Sequence, residues 1–320
     1  MRVALAALVS LLALGLAPLI LSSYQLGLLT KILIFAIFAM SLNLILGYGG
    51  LPSLGHAAYF GVAAYTVGLL ALRGLPNFWL AFAASLAAAT GTAALFGLLA
   101  LRTHGAYLLM ITLALAQVLW GIAFGWRSFT GGDDGLAGVP RPDAGLPWSL
   151  AGDAPFYYLV TAVFAASTAL LALFVTSPFG RALVGVRESE RRMEVLGYHT
   201  WAHKYVAFVI AGALAGVAGM LFVYYNRFVS PAYLSVVLSA TGMIMVILGG
   251  AGTPLGPALG SALIVFLENA ISAHTQRWLL ILGCIYVGVT LFAPAGILGL
   301  VRRRARAPRP MARGDEARGR

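Results

Sequence analysis

"GYGGLPSLGHAAYFGVAAY", residues 47–65, puts glycines, a proline, a serine and a histidine into one short stretch of a very apolar chain. A helix crossing lipid needs none of them. Pro52 cannot continue a helix through its own position, because it lacks an N–H and its ring crowds the preceding turn. Irregular backbone at membrane depth survives only where protein buries it or a watery cavity lines it. The stretch therefore predicts a broken span, with a new helix N-terminus at about Ser53–His56. Ser53 and His56 are placed to hydrogen-bond the freed backbone groups. The partial positive charge of that N-terminus points inward. A comparable interruption recurs at "GGAGTPLGPALG", 249–260, and paired broken segments mark the pathway in some transporter folds.

The surrounding composition sets the solvent. Of 320 residues, 61% are hydrophobic and 10% charged, with mean hydropathy +0.91. Soluble domains keep about 25% of their residues charged. Apolar runs of about 20 residues, enough to cross roughly 30 Å of hydrocarbon, fall near 3–22, 26–47, 51–72, 76–101, 105–126, 155–176, 205–225, 235–250, 255–272 and 277–298. The fold class is an all-α polytopic membrane protein of about ten transmembrane helices, some broken. The first run, behind Arg2, resembles a signal peptide but is read as a retained span, because it is long and no clean cleavage site follows it.

Basic residues test the parity of these spans. With the N-terminus inside, fifteen fall inside, including eight arginines after Leu300, and six fall outside. Ten spans with both termini cytoplasmic satisfy the positive-inside rule. The loop 127–154 is then external and the loop 177–204 cytoplasmic. Residues 1–300 form the membrane domain, and 301–320 an Arg-rich tail expected to be disordered and to touch anionic lipid.

Several chemistries are excluded. The sequence has no P-loop and no H-E-x-x-H. His199 and His203 share a helical spacing but lack a third ligand, and Cys284 is a lone thiol in an apolar run. Glu268 is the one carboxylate inside an apolar run, where Asn269, His274 and Arg277 are placed to satisfy it; a proton or substrate role is the alternative. The chemistry is passage, with energy supplied elsewhere. Gly212 and Gly216 form a G-x-x-x-G, and Gly252, Gly256 and Gly260 repeat it later; both read as helix-packing faces.

Five pieces in order carry a family resemblance: "SLNLILGYGGLPSLGHAAYFGVAAY" (41–65), "TGGDDGLAGVP" (130–140), "FGRALVGVRESERRMEVLGYHTWAHKYVAFVIAGALAGVAG" (179–219), "FVSPAY" (228–233) and "MVILGGAGTPLGPALGSAL" (245–263). Together, over about residues 30–300, they resemble the permease subunits of branched-chain amino-acid ABC importers. The resemblance implies a bacterial inner-membrane permease that is not itself an enzyme. Its partners would be a second, related permease, two cytoplasmic ATPases holding ATP and magnesium, and a periplasmic substrate-binding protein. The chain itself would hold no cofactor. One departure stands in the span 105–126. That span usually carries a Glu followed by a basic residue, and here Gln117 and Trp120 occupy those positions.

Under this reading Asn43, Ser53, His56, Thr112 and Gln117 are the polar groups of the substrate path, although Asn43 and Gln117 also suit plain helix contacts. The loop 177–204 is the ATPase-coupling element. A helix from about Ala182 puts Leu183, Val186, Met193 and Leu196 on one side. Arg187, Glu188, Glu190 and Arg191 supply charge, Glu188 pairs with Arg192, and Gly197 caps the C-terminus. A helix lying on the lipid surface is the alternative. Rival functions are an ABC permease for urea, amides or sugars, and an ion-coupled secondary transporter.

Overall fold

The computed structural model describes residues 14–75, 77–142, 145, 150–275, 277, 280, 281, 283, 284, 287 and 288. Most of the run 3–22, most of 277–298 and the tail 301–320 lie outside the described residues. Residues 14–20 are helical, and the other eight expected runs each coincide with a helix.

Helix α1 (Ser23–Asn43) opens on a capping box in which the Ser22 hydroxyl and the Gln25 side chain satisfy each other's backbone amides. It is largely apolar, and it continues as a π turn, Leu44–Tyr48. Helix α2 (His56–Leu72) follows an extended segment. Asn77 caps α3 (Phe78–Ala100) by accepting from the amides of Trp79 and Leu80. Then come α4 (Ala106–Gly125) and α5 (Asp153–Thr176). Ser177, with Pro178 in the first turn, starts α6 (Pro178–Glu188), and Ser189 starts α7 (Glu190–Val195). Then follow α8 (Thr200–Asn226), α9 (Val236–Gly249) and α10 (Gly256–Ser272).

Five of these segments are long and apolar enough to cross a membrane: Ser23–Tyr48, α3, α4, α5 and α8. The helices α2, α9 and α10 are shorter, at 17, 14 and 17 residues. Their shortness has a local cause. The extended segment 49–55 takes the start of the third expected span, and the turn 250–255 separates α9 from α10.

Helices α1 and α8 form the centre, each 78% buried across its apolar window. Helix α8 packs on α1, α2 and α3, and α1 also meets α5, α9 and α10. Small residues bring these backbones together. Gly212 lies against Ala93 and Tyr59, Gly216 against Ala89, and Gly219 against the Phe60 carbonyl. The outer helices α3, α4 and α5 are only 28%, 22% and 11% buried.

The loop after α4 is folded rather than loose over its described part. Strand β1 (Leu136–Ala137) pairs antiparallel with β2 (Phe228–Val229), which ties the loop to the end of α8. Arg141 donates to the Asp153 carboxylate and the Ala151 carbonyl, both at 2.7 Å, and lies over the Phe156 ring.

Candidate functional site

The π turn uses i+5 spacing, with the Gly49 amide donating to the Leu44 carbonyl at 3.1 Å. Gly50 then turns at φ +67°, a conformation that favours glycine, and Pro52 holds the following segment extended. The helix start at His56 leaves unpaired amides, and three hydroxyls satisfy them. Thr112 of α4 accepts from Leu54, Ser53 from Gly55, and Ser239 of α9 from Ala57, at 3.3, 3.3 and 2.9 Å.

His56 does not join this cap. As the first residue of α2 it points back to α1, where Nε2 stands 2.8 Å from the Ser41 hydroxyl. Ser41 gives its proton to the Phe38 carbonyl at 2.7 Å, so the network assigns the His56 proton to Nε2. Nδ1 is left as a buried acceptor without a partner, between the rings of Phe38 and Tyr59. The expectation that His56 satisfies freed backbone is therefore corrected: its ring faces α1, and the hydroxyls of Thr112 and Ser239 do that work beside Ser53.

The second interruption meets the first. Asn43, near the end of α1, accepts from the Gly252 amide at 2.8 Å and donates to the Thr253 carbonyl at 2.9 Å. Gly252 has φ +76° and lies in the turn before α10, not on that helix. The packing face of α10 therefore begins at Gly256, which touches Gly249, and continues at Gly260, which touches the Met245 carbonyl. Beside this junction, between α1, α5 and Pro254, lies an apolar cavity of about 260 Å³.

Asn43, Ser53, His56 and Thr112 are buried at 2%, 1%, 0% and 0% exposure, and each bonds within the chain. Gln117 differs. It stands exposed on α4, the helix that buries only Leu108, Thr112, Ala116 and Ala123. The structure thus gathers four of the five path residues as internal struts and turns the fifth outward.

The segment 177–204, expected to hold one coupling helix, is two helices instead. Ser189, with φ −161° and ψ 98°, breaks it. Leu183 and Val186 are buried inside the chain at 0% and 4% exposure, and Met193 packs back on Gly185. Leu183 and Val186 leave the outward face because α6 lies against α5 and α8, and the half-buried Met193 of α7 folds back onto α6. Val195 and Leu196 carry the exposed apolar surface, at 84% and 65%, with Glu188, Arg191 and Arg192 exposed nearby. Glu188 and Arg192 fall on different helices, and no ion pair joins them among the described residues. Gly197 turns at φ +84° and its amide bonds the Glu194 carbonyl, closing α7 as expected of a cap.

Two charged networks fix the ends. Glu190 takes a hydrogen bond from the buried Lys204 ammonium of α8, and His104 stands 3.6 Å from its other oxygen. Burial opposes the Glu190 charge, but the Lys204 ammonium and its hydrogen bond help to outweigh it and hold the carboxyl below its usual range. Arg187, on the last turn of α6, is an exposed residue whose guanidinium donates to the Gly47 carbonyl. Glu268 pairs with Lys31 of α1 at 3.3 Å, whereas Asn269 donates to the Tyr24 hydroxyl and His274 bonds the Ala270 carbonyl. The partner expected nearby in sequence is replaced by one from α1, the helix that α10 packs on.

His203 bonds the His199 carbonyl and stacks on Phe179, and no group of three metal-ligating side chains occurs among the described residues. Ser41, Ser239 and Thr253 were not singled out from sequence. They are ordinary small polar residues, and nothing local marks their distant partners.

The sequence is similar to those of known transport proteins. The chain is 30% identical to the high-affinity branched-chain amino acid transport system permease protein LivM of Escherichia coli (strain K12), over 97% of this chain and 78% of that protein. It is 29% identical to LivM of Salmonella typhimurium, over 94% and 76%. Against the permease protein LivH of Escherichia coli (strain K12) it is 24% identical, over 83% and 91%. No solved structure matches the chain. Residues 24–292 match the family described as the branched-chain amino acid transport system permease component, and the chain belongs to that family.

Proposed function

We propose that this chain is one permease subunit of an ATP-driven importer of branched-chain or other small aliphatic amino acids. It sits in the bacterial inner membrane with ten spans and both termini inside. A second, related permease completes the path, and relatives named LivM and LivH both resembling this chain support a paired arrangement. Two cytoplasmic ATPases bind ATP and magnesium, and a periplasmic binding protein delivers substrate.

The observation that carries this reading is the exposed apolar end of the coupling segment. Val195, the last residue of α7, and Leu196, which caps it, are bare, with exposed charges close in sequence and outside the five apolar spans. Desolvated apolar anchors supply most of the energy at an interface, and rim charges set its register. Leu196, rather than Met193, is the anchor offered to an ATPase groove. Lipid would cover such a helix along its length, but Arg187 and the buried Leu183 and Val186 hold α6 to the protein.

The substrate path runs along the exposed face of α4, at the contact with the second permease. Lipid cannot satisfy the Gln117 amide there. An outer groove of about 390 Å³ between α2 and α4 opens near Arg73 and Trp126. Its lining is almost wholly apolar, which suits an aliphatic side chain. An ion-coupled mechanism lacks support: Glu268, about one turn from the end of α10, is already paired with Lys31.

Vesicles containing the permease pair and the ATPases, supplied with loaded binding protein, should take up leucine only with ATP inside. Uptake driven by an ion gradient without ATP would refute the reading. Leu196→Asp should reduce co-purification of the ATPase about a hundredfold in affinity or more, since it buries an unpaired charge.

A further inference from the structure

Arg187 is the point at which the coupling segment touches both helix breaks. Its guanidinium donates to the Gly47 carbonyl inside the π turn. Its Cγ fills the space beside Gly50, where a Cβ would come within 2.8 Å, and its Nη1 stands 3.4 Å from the place a Gly252 Cβ would take. Gly50 and Gly252 both have positive φ and no side chain, so one arginine side chain lies against both interruptions. Asn43 completes the triangle by tying the second break to α1.

These contacts differ in kind from the rest of the segment's packing. Leu183 and Val186 make apolar contacts, which tolerate sliding. The hydrogen bond from Arg187 is directional and charge-assisted. It also ends on a π turn, a form that is rare and concentrated at functional sites. A displacement of α6 must either carry Gly47 with it or break this bond.

We propose that Arg187 is the positioning residue that transmits movement of the coupling segment to the two broken helices, acting through the Gly47 carbonyl. The inference rests on the permease reading above and assigns that reading its internal link. In this structure Arg187 lies against both the end of α1 and the 250–255 turn. When the ATPases shift α6, the π turn is drawn with it, and the junction around Asn43 opens or closes.

The test uses the full importer in vesicles, measuring substrate taken up per ATP hydrolysed for wild type, Arg187→Met and Arg187→Lys. Arg187→Met should still capture the ATPases, because the docking surface at Val195 and Leu196 is untouched, but should lose about tenfold or more in the ratio of uptake to hydrolysis. Arg187→Lys should fall between, since its ammonium lacks the planar fork. An unchanged ratio in Arg187→Met overturns the proposal, as does a fall in uptake and hydrolysis in equal proportion. Amide exchange in Arg187→Lys gives a second reading that needs no transport and survives poor accumulation of the first variant. Exchange at 47–51 and 250–253 should quicken while α3 and α8 stay protected, and unchanged exchange there overturns the tie. If wild type itself shows no ATP-dependent uptake, the permease reading fails separately, and the exchange result alone decides whether Arg187 holds the two breaks.

Discussion

Asn43 in α1 accepts a hydrogen bond from the backbone amide of Gly252, 209 residues along the chain, and donates to the carbonyl of the next residue, Thr253. One carboxamide thus satisfies a donor and an acceptor in a turn that has no regular structure to satisfy them. It also fixes the two interruptions of the fold to each other.

Asn43→Leu removes both bonds from a site with 2% exposure. The Gly252 and Thr253 backbone groups are only part-buried, so each left unpaired costs about 1 kcal/mol, the low end for a buried group. The detergent-solubilised variant should unfold at a lower temperature than wild type, and the amides of 250–253 should exchange faster. A wild-type midpoint would mean that the clasp contributes nothing to the folded subunit.

Two glycines separate folding from assembly. A Cβ at Gly219 would run into the Phe60 carbonyl, which is backbone and cannot step aside, so Gly219→Ala should reduce the membrane abundance of this subunit. Gly121, on the outward side of α4, has open space around it. Gly121→Leu should leave abundance unchanged while weakening co-purification with the second permease by about tenfold or more, equivalent to about 1.4 kcal/mol. Normal pairing in that variant would move the interface off α4.

The Glu190–Lys204 pair predicts a pH dependence with a definite sign. The folded-state pKa of Glu190 lies below its ordinary 4.5. Its charge therefore contributes stability that is complete above 4.5 and lost as pH falls through the lower folded value. Glu190→Gln leaves the buried Lys204 without its carboxylate, and should be less stable than wild type at neutral pH. The gap between their unfolding midpoints should shrink as pH is lowered below 4.5. A gap that stays constant to acid pH would show that the pair is not the source of the difference.

The sequence by itself determined the solvent, the apolar runs and the breaks. Hydropathy over about 20 residues is a local property, and so is the refusal of Pro52 to continue a helix, which is why α3, α4, α5 and α8 were legible as spans. The ordered motifs from 41–65 to 245–263 identified the family for the same reason. Partners were not legible, because a side chain's hydrogen bond depends on which helices lie beside it. Ser53 was found because its bond to Gly55 is two residues long. Ser239 was not, because its bond to Ala57 spans 182. Helical spacing put Leu183, Val186, Met193 and Leu196 on one face, but Ser189 turned the chain and packing against α5 and α8 buried the first two. Spacing assigns residues to a side of a helix, and only the tertiary structure decides which side meets protein. The same limit governs Arg187, which reads as a surface charge at the end of an amphipathic helix. Its role was fixed only when the fold brought the Gly47 carbonyl, freed from regular helix by the π turn, within its reach.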